Sequence, residues 1–247
     1  MKKSIIISII VSFIATSCIS ITINKNLVRG EGEPVTELRS YEGDITGLAI
    51  SSCVNVVLDN AIEPGTAQVT TSPNIMEYVE LKVEGPLLCI SLNRDRSYHV
   101  DTLEVRVSPR SLSNFAISGG ASLESGELVA LDGDVMLAAS GGADVDIYGN
   151  FEKLNVAASG GADIELCGSC GMLSVAVSGG CDASLDELVA EVAHVTASGG
   201  ADLSLYATKE YHIQASGGAD VRYILSEASV NLSSSGGADI TAVKRLM

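Results

Sequence analysis

Apolar residues fall on every second position through most of this chain, and the alternation restarts at a recurring break. After the break the pattern reads Ala143, Val145, Ile147, then Ala162, Ile164, Leu166, then Ala201, Leu203, Leu205. Before it, Phe115, Leu137, Val156, Val175, Val195, Ile213 and Leu232 stand three residues ahead of a serine. Ile117, Ala139, Ala158, Val177, Ala197, Ala215 and Ser234 stand one residue ahead. A period of two predicts strands with one face turned inward. No segment shows a helical period.

The break itself is Ser-Gly-Gly-Ala-Asp. It occurs at Ser140, Ser159, Ser198, Ser216 and Ser235, with near copies at Ser118 (Ser-Gly-Gly-Ala-Ser) and Ser178 (Ser-Gly-Gly-Cys-Asp). Successive steps are 22, 19, 19, 20, 18 and 19 residues. A fixed period of this length predicts a solenoid. Each repeat reads as strand, glycine bend, strand, then a looser third side such as Tyr148 to Lys153. The expected fold is all-β, a right-handed parallel β-helix with about 19 residues per coil. An antiparallel meander of shorter strands is the alternative, but one sharp motif per period favours one corner per coil. Seven coils at the sheet spacing give a rod of roughly 35 Å. Gly161 is expected at a positive-φ corner of this rod.

Stacking puts Asp144, Asp163, Asp182, Asp202, Asp220 and Asp239 in one column, with Ser122 before them. Carboxylates roughly 5 Å apart repel, so something must compensate. The preferred reading is structural: each Asp accepts hydrogen bonds from backbone N–H groups of its corner. The other is a row of cations such as Ca²⁺ bridging the oxygens. The nine-residue period of a calcium-binding β-roll is absent.

The first 17 residues read as a signal peptide. Lys2 and Lys3 precede an apolar run from Ile5 to Ile14, too short to span a membrane, and Ala15-Thr16-Ser17 precedes Cys18. Small residues before this cysteine predict lipid attachment at Cys18. Residues 18–34 then form a lipid-anchored tether and 35–247 the domain. Removing Lys2 and Lys3 leaves 13 basic residues (15 minus 2) against 31 acidic, a net charge of -18. That excludes nucleic acid as a partner and attraction to anionic membranes beyond the anchor.

Between Tyr41 and Ile117 strands continue without the repeat. Tyr78 to Val83 and Leu87 to Leu92 flank Glu84-Gly85-Pro86 as a hairpin, and Leu103 to Val107 alternates. Ser51-Ser52-Cys53-Val54-Asn55 is a worn copy of the motif, so the solenoid is expected to begin there. At the far end Lys244 and Arg245 are placed to discourage edge-to-edge stacking.

The order of these features is informative. A signal with a cysteine is followed by Gly30-Glu31-Gly32, a strand carrying the degenerate Cys53-Val54-Asn55, two long strands, Pro109-Arg110-Ser111-Leu112 and the repeats. Over roughly 28–247 this resembles the putative auto-transporter adhesin head GIN domain family, common in Bacteroidetes envelope proteins. The resemblance implies a single-stranded β-helix and no established activity.

Other chemistry is sparse. Cys167-Gly168-Ser169-Cys170 has a redox or zinc spacing but lacks a second pair, and Cys181 occupies an Ala position. A disulfide among these three stays open. His194 and His212 each lie four residues before a motif Ser, so they are placed to stack on neighbouring rungs. The repeated Ser-Gly-Gly is no nucleophile elbow. The expectation is therefore a non-enzymatic envelope lipoprotein of the outer membrane, on its periplasmic face or the cell surface. It has no cofactor or metal and contacts an unknown protein or glycan. The alternative is a carbohydrate-binding or carbohydrate-active β-helix protein.

Overall fold

Inward-pointing apolar residues at every second position need a covering layer, and here each coil covers the next. The computed structural model describes residues 27–244. Its strands begin with β1 (Leu27–Arg29), β2 (Val35–Ser40), β3 (Gly47–Ile50), β4 (Asn55–Leu58) and β5 (Thr66–Thr71). A short 3₁₀ turn leads to β6 (Val79–Glu84), β7 (Leu87–Leu92), β8 (Ser97–His99) and β9 (Leu103–Val107). The repeats supply β10 (Asn114–Ser118), β11 (Ser122–Ser125), β12 (Val129–Gly141), β13 (Asp144–Gly160) and β14 (Asp163–Val177). They continue as β15 (Asp182–Ala197), β16 (Asp202–Ala215), β17 (Asp220–Ile224), β18 (Ser229–Ser234) and β19 (Asp239–Val243).

The repeats form the expected parallel β-helix. Motif stacks on motif: Ser118 pairs with Ser140 and Ser140 with Ser159. The aspartates follow in register from Asp144 through Asp163, Asp182, Asp202 and Asp220 to Asp239. The third side differs from the expectation of a looser segment. Residues 144–160 are one strand, and Gly149 pairs with both Val129 and Gly168. The reason is that stacking supplies each backbone group with a partner one rung away, whatever the local propensity.

Inside, two columns fill the coil. Ala121, Ala143, Ala162, Cys181, Ala201 and Ala219 are all buried at the corner, where only a small side chain fits. Phe115, Leu137, Val156, Val175, Val195 and Ile213 form the larger column, each burial contributing about 1.5–3 kcal/mol. Tyr211 is fully buried opposite Ala193. Its hydroxyl accepts from the Ala207 N–H (2.7 Å) and donates to Ile224 O (2.8 Å), so no polar atom is stranded.

The first Gly of each pair carries the turn. Gly160 has φ +83°, and a Cβ there would lie 3.0 Å from Gly141 N. Gly161, the residue expected to need positive φ, is not in that region, and its Cβ would meet Gly141 O at an ordinary 3.7 Å.

Along the chain the solenoid does begin at the worn motif, although one further parallel rung lies outside it. Strands β3 and β4 stack in parallel under β10 and β11, and β7 and β9 stack in parallel under them. The expected hairpin is β6 with β7, turning at Gly85 (φ +62°). Antiparallel β6 on β7, β5 on β9 and β2 on β5 end the parallel stacking on this side, as a cap must. Strand β1 lies within the stretch expected as a tether, yet it pairs with β8, so the domain's contacts start at Leu27 rather than Val35. Cys18, the signal peptide and Arg245 lie outside the described residues.

Candidate functional site

Alternation leaves each rung two outward rows on either side of its glycine corner. After the corner come Asp144, Asp163, Asp182, Asp202 and Asp220, with Asp146, Glu165, Ser184, Ser204 and Arg222 two residues on. The column is real, and its carboxylates are exposed. Corner capping is not how it is accommodated. Among the described residues no hydrogen bond reaches the carboxylates of Asp144, Asp163, Asp182, Asp202, Asp220 or Asp239. The corner amides are already used between rungs: Gly161 N–H donates to Gly141 O (2.9 Å), Gly180 to Gly160 (2.8 Å) and Gly200 to Gly179 (2.8 Å). The Asp amides do the same, Asp163 N–H donating to Ala143 O at 2.9 Å. Neighbouring unit charges about 5 Å apart in water repel by about 0.8 kcal/mol, which this backbone ladder outweighs. Before Asp144 the column passes through two neutral rungs, where Ser122 Oγ donates to Asn55 Oδ1 (3.1 Å), and then reaches Glu104. Beside it burial pushes the Glu124 carboxyl above its ordinary value, and the charges of Asp146, Asp144 and Glu104 add to that.

The rows before the corner differ. Met136, Asn155, Ser174, His194 and His212 stand four residues before each Ser, and Ala138, Ala157, Ala176, Thr196 and Gln214 stand two before. They line a shallow groove of about 530 Å³ that crosses the strands, and Asp134 and Lys153 are also in its lining. His194 and His212 pair in register, as expected, and their rings stack at 4.8 Å and 2°. His212 Nε2 lies 2.8 Å from Glu210 Oε1. Composition obscured this face. Its signal is the absence of carboxylates at two phases of a 19-residue period, visible only when the repeats are aligned on their serines.

The cysteines do not converge. Three positions along a strand reverse the side chain, so Cys170 is buried while Cys167 faces out, 3.4 Å from Glu187 Oε2. All five described cysteines are free thiols. Burial, then the Glu187 carboxylate, pushes the Cys167 thiol up to about 11, and burial does the same for Cys170 and Cys89. Such thiols are poor nucleophiles. Among the described residues no cluster of three or more His, Cys, Asp and Glu is arranged for a metal ion.

A family described as "Putative auto-transporter adhesin, head GIN domain" matches residues 44–226, from β3 into the loop after β17. The chain belongs to this head GIN family. Cys53-Val54-Asn55, which the sequence resemblance puts in place of the family's Gly-Ile-Asn, stands at the corner between β3 and β4. Ser52 (φ +71°) and Cys53 (φ +57°) both take the left-handed conformation there. A glycine at 53 would adopt it freely, whereas a residue with a Cβ costs about 1–3 kcal/mol. Solved structures share the head GIN fold. A putative adhesin from Bacteroides fragilis superposes with TM-score 0.76 at 16% identity, covering 87% of this chain and all of its own. A putative lipid binding protein from Parabacteroides distasonis gives 0.70 at 17%, covering 89% of this chain and all of its own. A putative adhesin from Parabacteroides merdae gives 0.63 at 16%, with 88% and 99% covered. No curated protein matches the chain.

Proposed function

We propose that this chain is a non-enzymatic cell-envelope interaction module, adhesin-like or scaffolding, held at the outer membrane by a lipid on Cys18. One observation carries the reading. The rows before the corner form a groove across five rungs whose ten row positions carry no carboxylate, with Asp134 and Lys153 as the charged residues of its lining, in a chain whose net charge is -16. Flat repeated faces suit contact along a length, whereas catalysis needs acid, base or nucleophile brought to one point. The relatives described as adhesins support the class of function, and their origin in Bacteroides and Parabacteroides supports the envelope. Among the described residues no helix is long and apolar enough to cross a membrane. A lipid at Cys18 would supply the attachment. The neighbour described as lipid binding suggests a second reading, but an open groove with a floor of alanines does not enclose an acyl chain.

Two measurements on whole cells test this. A fatty-acid analogue should label the wild type and not Cys18→Ala, and the variant should leave the membrane fraction. A photo-crosslinking residue at position 157 should yield discrete adducts, while one at position 163, across the corner, should yield none. Equal adducts from both positions would remove the groove from the reading.

A further inference from the structure

We propose that the groove before the corner binds an uncharged polysaccharide lying along the solenoid axis, with one rung serving about one sugar unit. This rests on the interaction-module reading above and adds the chemical class of the partner.

The backbone excludes one class first. Strands β12 to β16 are hydrogen-bonded to neighbours on both sides across this face, so no strand edge is open to an added peptide strand. Recognition must come from outward side chains. Charge excludes two more. The ten row positions hold no carboxylate to grip a cationic partner; the charges beside them are Asp134 and Lys153, of opposite sign, and Glu210, whose carboxylate lies on His212, while the net charge of -16 opposes an anionic partner. Depth excludes a lipid tail, because the floor is buried only at Ala138 and lies exposed at Ala157 and Ala176.

What the face does offer is periodic. Asn155, Ser174, His194 and His212 place one hydrogen-bonding side chain on each successive rung, about 4.8 Å apart, with Asn155 Nδ2 also donating to Val135 O (3.4 Å) and His212 Nε2 lying on Glu210 Oε1 (2.8 Å). Beside them the alanine floor is level enough for a sugar ring to approach. A neutral glycan repeats hydroxyls and apolar ring faces at about that interval, so successive units meet equivalent groups. From Met136 to His212 the row spans four steps, about 19 Å, or roughly four sugar units. No Trp, Tyr or Phe lines the groove, so affinity accumulates along the chain rather than at one anchor. Length dependence is therefore the deciding readout.

The test uses the full chain, immobilised through the Cys18 end. Oligomers of glucose, mannose and N-acetylglucosamine of two to eight units are the probes. Uronic-acid oligomers and phosphatidylcholine vesicles serve as comparators. Binding should strengthen at least about tenfold from two to four units and level off beyond five. His194→Ala and Asn155→Ala should each weaken it about tenfold, the loss of one neutral hydrogen bond. Ala157→Arg should abolish it, with an unchanged melt showing that the rung still folds, and Asp163→Asn should leave it intact. Tighter binding of uronic-acid oligomers or vesicles overturns the proposal. So does the absence of neutral-oligomer binding, or binding indifferent to Ala157→Arg. If position 157 still crosslinks a partner on cells while no neutral oligomer binds, the interaction face stands and the glycan is wrong.

Discussion

On each of five rungs the chain crosses a glycine corner, and the strand before it differs from the strand after it in the charge displayed. Ten outward positions before the corner, from Met136 and Ala138 to His212 and Gln214, hold no Asp or Glu. The ten matching positions after it hold seven: Asp144, Asp146, Asp163, Glu165, Asp182, Asp202 and Asp220. Both sets share one register and one spacing, so the backbone cannot be the cause. The contrast shows that neither pattern is required for folding. The acidic rows cost stability through repulsion, yet they keep anions and other acidic rods away. The groove rows are the face left approachable.

The corner that joins the two faces offers the largest effect. Gly160→Ala should destabilise by about 1–3 kcal/mol from backbone strain alone, with more from the 3.0 Å approach to Gly141 N. Gly161→Ala should cost less than about 1 kcal/mol, because its φ is ordinary and an added Cβ would meet Gly141 O at only van der Waals distance, 3.7 Å. Urea melts separate them, and equal losses would mean that both glycines carry the turn.

Making the two faces alike comes next. Ala157→Asp with Ala176→Asp writes a short acidic column into the groove. Crosslinking from a neighbouring groove position should fall at least about tenfold, while the melt should drop by only about 1 kcal/mol from the added repulsion. Unchanged crosslinking would show that charge does not distinguish the faces.

On the acidic side, Asp163→Asn should raise stability by less than about 1 kcal/mol, and the gain should shrink as salt rises. Asp163→Ala should behave similarly, because no corner amide depends on the carboxylate. Ala costing over about 1 kcal/mol more than Asn would restore the capping role.

The smallest effect is at Glu124. Its carboxyl is raised by burial first, then by Asp146, Asp144 and Glu104. The folded state therefore holds the Glu124 proton more tightly than the unfolded state does. That group's contribution to stability improves as pH falls through the raised value and is unfavourable above it. Glu124→Gln should raise the melting temperature at pH 7 and lose that advantage at pH 3. A larger gain at pH 3 would contradict the cause assigned here.

Much of this rod was legible from spacing. The 19-residue step located the corners, the period of two named the buried columns from Phe115 to Ile213, and the worn motif at Ser51 marked the first coil. Even the stacking of His194 on His212 followed from counting back four residues from a serine. These succeed because a side chain's direction along a strand depends only on its parity.

The rest depended on which atoms the next rung brings. Aspartate after a glycine pair suggests a cap, but the amides it would cap are spent on carbonyls 19 or so residues away, and only stacking reveals that. Two adjacent glycines look equivalent in the chain, yet a Cβ at Gly160 would press on Gly141 N while one at Gly161 would make ordinary contact with Gly141 O. The cap of β2, β5 and β6 comes from segments with no repeat to betray their register. Parity along the strand set what points inward, whereas hydrogen-bond partners, close approaches and the groove are properties of neighbouring rungs and exist only once the coils are stacked.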